Sequence, residues 1–294
     1  MRLRFVAWAL ALLSCVAHAA PVQLTDDRGI TLQLPAPPRR IVSTLPSLTE
    51  SICALGACDR LVGVDRYSNW PDSVRALPQA GGGIDPNVEA IVALKPDVVL
   101  VARSSRVIER LEALGLKVVV LEPQTHADVH RVLQQIAQLL ASAEAEAVWR
   151  TIDTAVAAAA QSLPPSARGT RVYFEISDVP YAAGEASFIG ETLARLGARN
   201  IVPRAMGPFP KLNPEYVVRA DPQLIMGSER SLQGLPKRPG WGAIGAVKTG
   251  RICRFTPEQS DMLVRPGPRM ADAARLMAQC LARRCKQAAN ADAR

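Results

Sequence analysis

Five aromatic residues, Tyr67, Trp70, Tyr181, Phe209 and Trp241, fall in stretches rich in proline, glycine or serine that read as loops. Aromatics are only 4% of the chain, so five of them in loop-type sequence ask for a shared purpose. Tyrosine and tryptophan offer a flat apolar face, a polar tip and little rotamer entropy, which suits the wall of a cleft. Any one of them is more commonly folded onto its own lobe. Lobe packing is a poorer account of the whole set, which points to a shared cleft. Asp261 and Arg265 stand four apart before Pro266, where the plain expectation is a surface ion pair worth little. Ser47 and Glu50 form an S-x-x-E pattern, read as a capping box.

The motifs of catalysis are missing. The chain has no G-x-S-x-G elbow, no G-x-G-x-x-G following a strand and no P-loop, and its C-terminal half contains no histidine. A hydrolase or dehydrogenase is therefore disfavoured, and the chain reads as a binding protein and not an enzyme. No C-x-x-C occurs, and beyond the leader only His126 and His130 could join a zinc site, so no metal is expected.

Arg2 and Arg4 precede an uncharged apolar run over 5–13 and small residues ending Ala17-His18-Ala19. That is the layout of a signal peptide over 1–19, with Ala20 as the first mature residue and the periplasm as destination. Leu12-Leu13-Ser14-Cys15 offers the other outcome, a lipoprotein anchored at Cys15. Loss of Arg2 and Arg4 lowers the formal charge from +8 to +6. The remaining basic residues are scattered, which describes a solvated surface and not a nucleic-acid footprint. Five cysteines remain in an oxidising compartment. Cys53 and Cys58 are close enough to pair, Cys253 has Cys280 or Cys285 as partner, and one thiol is left over.

These residues need elements to hold them. Residues 22–34 alternate around Asp26-Asp27-Arg28-Gly29, a hairpin pattern. Short β-branched runs at 41–42, 98–101 and 118–121 then alternate with helical spacing, as in parallel sheets built from βαβ units. The pattern occurs twice. Residues 50–57 match 191–198, and Glu89 precedes Pro96 by seven residues just as Glu215 precedes Pro222. Two similar lobes follow, at 20–142 and 164–285, with a tail over 286–294. Between them an alanine-rich helical stretch over 128–163 would run about 54 Å unbroken. Ser142 is the expected break, leaving 143–163 as a strut that limits closure of the lobes.

The segments 40–50, 91–97 and 265–269 together resemble the periplasmic substrate-binding proteins of ABC importers, in which two Rossmann-like lobes are joined by one long α-helix. The likeness spans residues 22–285 and is nearest to the vitamin B12 (cobalamin)-binding members. It implies an α/β fold with parallel sheets, a corrinoid ligand and no resident cofactor. Pro46, Tyr67 and Tyr181 match cleft positions, Phe209 takes the place of a tryptophan, and Asp261 with Arg265 meets the polar edge of the corrin. Trp241 joins this list from the loop reading. Gly81-Gly82-Gly83 replace a tryptophan wall. Haem or a ferric siderophore is the alternative ligand. Tyr67 or Tyr181 would be the axial ligand to haem, and Arg66, Arg103 and Arg265 would meet an anionic siderophore. His126 and His130 read as helix positions on the lobe exterior.

The resemblance also gives Glu89 and Glu215 a role, docking on arginines of a permease dimer; otherwise each is an acid favoured by its helix start. Reversing both charges is expected to leave ligand affinity unchanged and abolish uptake in cells. Loss of ligand binding by the purified double variant would reject the docking role.

Overall fold

The computed structural model describes residues 21–177 and 180–292, with side chains through residue 282. The expected leader at 1–19, Cys15 and the side chain of Cys285 lie outside those residues. The chain opens with the hairpin β1 (Val22–Thr25) and β2 (Thr31–Leu34), paired antiparallel with Val22 opposite Leu34. Asp26 shapes its tip by accepting the N–H groups of Arg28 and Ile30 at 2.9 and 3.1 Å.

The first sheet alternates with helices: β3 (Ile41–Ser43), α1 (Pro46–Ala54), β4 (Leu61–Val64), α2 (Val88–Ala93), β5 (Val98–Val101), α3 (Ile108–Ala113) and β6 (Val118–Val120). Its order is β4-β3-β5-β6, all parallel. Every residue of β5 is buried because a parallel sheet is covered on both faces, and a continuous valine-leucine run suits that position.

Helix α4 (His126–Leu140) starts in a capping box of Thr125 and Asp128 and ends at Ala141, whose φ of 54° turns the chain. Ser142 marks the break; its hydroxyl donates to Leu55 O and accepts the Glu144 N–H. Helix α5 (Ala145–Gln161) follows, about 25 Å long.

The second lobe comprises β7 (Arg171–Ser177), β8 (Tyr181–Ala182), α6 (Phe188–Arg195), β9 (Arg199–Asn200), α7 (Pro214–Ala220), β10 (Leu224–Ser228), α8 (Gly245–Lys248), β11 (Ile252–Phe255), α9 (Pro257–Leu263) and α10 (Met270–Asp292). Helix α10 thus carries regular backbone through the stretch expected as a tail. Strands β9, β7, β10 and β11 lie parallel in that order, which repeats β4, β3, β5 and β6 of the first lobe; β8 adds antiparallel to β7.

The duplication extends to single hydrogen bonds. After α1, Ala57 N–H reaches back to Ile52 O, and after α6, Ala198 N–H reaches back to Leu193 O, at 3.1 and 3.0 Å. Gly56 and Gly197 make those turns possible at φ of 81° and 77°, a region closed to most side chains.

One apolar core runs through both lobes. It includes Leu48 and Ile52 of α1, Ile136 of α4, Ile152 and Val156 of α5, Leu193 of α6 and Met277 of α10. Two further clusters fill the outer faces of the sheets.

Disulfides join Cys53 to Cys58 and Cys253 to Cys280. The second ties β11 to α10 across 27 residues, against 5 for the first. Loop-closure entropy then assigns roughly 3.5 kcal/mol to the long bridge and roughly 2 kcal/mol to the short one. Urea denaturation is expected to show the larger loss for the Cys253→Ser/Cys280→Ser variant. A larger loss for Cys53→Ser/Cys58→Ser would reverse that ranking.

Candidate ligand cleft

Of the ten exposed large apolar side chains among the described residues, six lie on loops at one edge of the two sheets. Tyr67 and Trp70 follow the carboxyl end of β4, Tyr181 follows β7, and Met206 and Phe209 follow β9. Ile84 joins them from a loop whose carbonyl accepts the N–H of Arg106, beyond β5. Ligands of open α/β sheets sit at this edge, because the loops there can vary without disturbing the sheet.

Each side chain is aimed by a local device. The buried carboxylate of Asp65 accepts Tyr67 N–H at 2.9 Å and the Ser68 hydroxyl, forming a tight turn that leaves Tyr67 60% exposed. Burial pushes the Asp65 pKa up, while the bonds from Ser68 and Tyr67 and the charge of Arg265 oppose the rise. Pro46 opens α1 at half burial. Gly184 lets the 207–211 segment approach: a Cβ there would lie 2.4 Å from Gly207 O. Ala182 and Gly184 donate their N–H groups to Pro210 O and Pro208 O, and Phe209 meets Phe188 edge-on at 6.2 Å.

Gly81 to Gly83 do not leave an empty wall. A Cβ on Gly82 would stand 2.5 Å from an Asp85 oxygen, and one on Gly83 would stand 3.1 Å from Thr44 O. The loop has closed onto its own lobe and presents Ile84, 54% exposed, as its apolar surface.

The lobes meet at two junctions that adjoin these loops. At the first, Phe188 N–H donates to Gln124 O at 2.6 Å, beside Phe209. At the second, Arg265 donates to Tyr67 O at 2.9 Å, to Asn69 Oδ1 at 2.8 Å and to Glu50 Oε1 at 2.9 Å, and pairs with Asp261 at 2.8 Å. The expected Asp261–Arg265 pair therefore forms, but Arg265 is buried with both terminal nitrogens on protein acceptors, so it is neither a surface ion pair nor free to meet a ligand's edge; Asp261 stays partly exposed. Arg269, absent from the expected site, donates through Nε and Nη2 to Glu50 and lies 5.2 Å over the Trp70 ring.

Three expectations are corrected. Trp241 does not line a cleft loop: it is fully buried, edge-on to Tyr173 at 5.8 Å and under the Arg238 guanidinium at 4.7 Å. Glu50 does not close a capping box. Helix α1 begins after Leu45 without a side-chain cap, Ser47 Oγ has no partner, and Glu50 turns to the two arginines instead. His126 is not on an exterior face. It is 8% exposed at the first junction, where its Nε2 lies 2.8 Å from Thr192 Oγ1. His130 keeps partial exposure, stacked on Trp149 at 4.8 Å and paired with Glu146.

Glu89 and Glu215 occupy matching, exposed places, each two residues after an asparagine that caps its helix. Asn87 accepts Ala90 N–H and Asn213 accepts Glu215 N–H, both at 2.9 Å; Glu89 also pairs with Arg110 at 2.8 Å. Among the described residues no His, Cys, Asp or Glu cluster could hold a metal, and no helix is long and apolar enough to cross a membrane.

Two parallel-sheet lobes with apolar loops at their carboxyl edges define an α/β ligand-binding protein. A family model described as periplasmic binding protein matches residues 41–258, and the chain belongs to that family, whose members are substrate-binding transport proteins. An uncharacterised ABC transporter substrate-binding lipoprotein of Bacillus subtilis is 27% identical over 273 residues, 89% of this chain and 85% of its own. A cobalamin-binding protein of Halobacterium salinarum is 32% identical over 220 residues, 71% of this chain and 59% of that one. Among solved structures, a periplasmic haem-binding protein from Pseudomonas aeruginosa is 26% identical, with a TM-score of 0.71 over 84% of this chain and 93% of that one.

The first junction is expected to respond to pH. Burial, with the nearby Arg195 charge, holds the His126 imidazole below its ordinary pKa, against the pull of Glu191, the Phe188 carbonyl and Asp153. Arg195 can only donate to Nδ1, so the ring is neutral with its proton on Nε2. The unfolded chain therefore takes up a proton first, and stability falls as pH drops through about 6.5 toward the lowered folded value, by at most about 1.4 kcal/mol per pH unit. Urea midpoints measured between pH 7.5 and 5 should fall more steeply for the wild type than for His126→Gln. Parallel profiles would remove His126 from the account.

Proposed function

We propose that this chain is a periplasmic substrate-binding protein that captures a corrinoid and hands it to the permease dimer of an ABC importer. The observation that carries the reading is the set of exposed apolar side chains on the carboxyl-edge loops of both lobes, with an arginine-acid cluster at one junction. A corrin is a broad apolar disc with amides around its rim, and such loops supply apolar faces for the disc, with the partly exposed Asp261 beside them as a polar group for its edge. The similarity to a cobalamin-binding protein of Halobacterium salinarum supports the same choice. Tyr67, Tyr181, Phe209 and Pro46 then face the ligand, with Ile84 in place of the missing aromatic. Glu89 and Glu215 are the docking acids, two like charges on a two-lobed binder matched to two like subunits. A core shared by both lobes holds them together, so ligand enters with limited closure.

Haem is the second reading. Tyr67 and Tyr181, 60% and 42% exposed, each present a phenol able to ligate iron, and a haem-binding protein is among the similar structures.

Calorimetric titration of the purified protein with cobalamin, cobinamide, haem and a ferric siderophore, in parallel, decides between them. Cobalamin and cobinamide are expected to bind. Tyr67→Ala and Phe209→Ala should each weaken binding by about 10- to 100-fold, as expected for losing about 1.5–3 kcal/mol of apolar contact. A Soret shift with haem and no heat with either corrinoid would transfer the assignment to haem.

A further inference from the structure

Glu50 is 1% exposed, yet it stands at the centre of four charges drawn from both lobes. Its Oε1 accepts Arg265 Nη1 at 2.9 Å and Arg269 Nη2, and its Oε2 accepts Arg269 Nε at 2.9 Å. Arg265 continues to Tyr67 O and Asn69 Oδ1, while Asn69 Nδ2 donates to Asp261 Oδ2 at 2.8 Å. Both terminal nitrogens of Arg265 are thereby occupied by protein acceptors. Two carboxylates balance two guanidiniums, and among the described residues Glu50 is the carboxylate paired with Arg269, while Arg265 shares Glu50 with Asp261.

The segment held by this cluster is the loop that carries Tyr67 and Trp70. Asp65, Ser68 and Thr49 shape its turn from its own lobe. Its far side, from the Tyr67 carbonyl through Asn69 to the Trp70 ring, is gripped by Arg265 and Arg269 of the second lobe. We infer that Glu50 is the positioning residue of the cleft, fixing the 65–71 loop through Arg265 and Arg269 so that Tyr67 and Trp70 are set before ligand arrives. The inference builds on the ligand-binding reading. Its physical content is preorganisation: a loop competent only part of the time lowers the apparent association rate by that fraction. Loss of a direct contact instead speeds dissociation.

The test compares wild type, Glu50→Gln, Glu50→Asp and Asn69→Ala. Glutamine keeps the shape and removes the charge, aspartate keeps the charge on a shorter arm, and Asn69→Ala cuts the loop's own bonds without burying an unpaired ion. Amide exchange without ligand is expected to quicken about tenfold or more across 65–71 in Glu50→Gln, with the strands of the first sheet unchanged. Glu50→Asp should recover part of that protection, and Asn69→Ala should reproduce the loop effect even if Glu50→Gln fails to fold. Stopped-flow binding of cobalamin and haem should show a slower association with dissociation little altered. Uniform acceleration of exchange across the molecule would make Glu50 a stability element only and overturn the inference, as would loosened loops with unchanged association. A wild type that bound neither probe would sink the ligand reading, and the exchange pattern would still decide for or against Glu50.

Discussion

A buried carboxylate facing two guanidiniums from the other half of the chain constrains this molecule more than any other polar contact. Removing Glu50, Arg265 and Arg269 from water costs several kcal/mol per ion, and only close pairing with full hydrogen bonding offsets that cost. Such geometry is intolerant of displacement: if the lobes slide by an ångström, Glu50 loses Arg265 and Arg269, and Asn69 loses Arg265 and Asp261, while the Arg265–Asp261 pair stays within its own lobe. The apolar core that crosses from α1 through α4 and α5 to α10 works in the same direction but without directionality. Apolar packing holds the lobes close, and the ion cluster fixes their register.

That register matters because the exposed apolar loops at the carboxyl edges are divided between the lobes. Tyr67, Trp70 and Ile84 come from the first lobe, and Tyr181, Met206 and Phe209 from the second. A hinge of flexible strands would let such halves find each other around a ligand. Here the connection is a helix packed on both sides, and the two junctions are hydrogen-bonded through Gln124 with Phe188 and through Tyr67 with Arg265. On the proposed reading, the arrangement suits a cleft ordered during folding, before ligand comes.

Much of this was legible in the residues. The doubled pattern at 50–57 and 191–198 predicts two alike lobes, and the structure repeats it down to the hydrogen bonds after Gly56 and Gly197, since a Leu-Gly-Ala stop encodes its own turn. The hairpin around Asp26 and the break at Ser142 were equally readable, because each depends on neighbours within a few residues. Trp241 and His126 were not. Both sit in segments of loop or helix-start composition, and nothing local distinguishes an aromatic turned outward from one turned under its lobe. Glu50 misled in a sharper way: S-x-x-E describes a capping box, but the helix starts one residue before Ser47, so the pattern is out of phase with the cap. The lone acid among Ser47, Thr49 and Ser51 in an otherwise apolar helix was the available signal, and Arg269 in the same motif as Arg265 was its counterpart.

The sequence by itself determined the element order, the two parallel sheets and the helical link. These follow from periodicity, turn chemistry and short-range spacing, all of which act along the chain. The tertiary structure alone decided which aromatics face solvent, that Cys253 joins Cys280, and that Glu50 belongs to the second lobe's arginines. Those contacts span up to 219 residues, and their free energy depends on burial, which exists only once the lobes have come together.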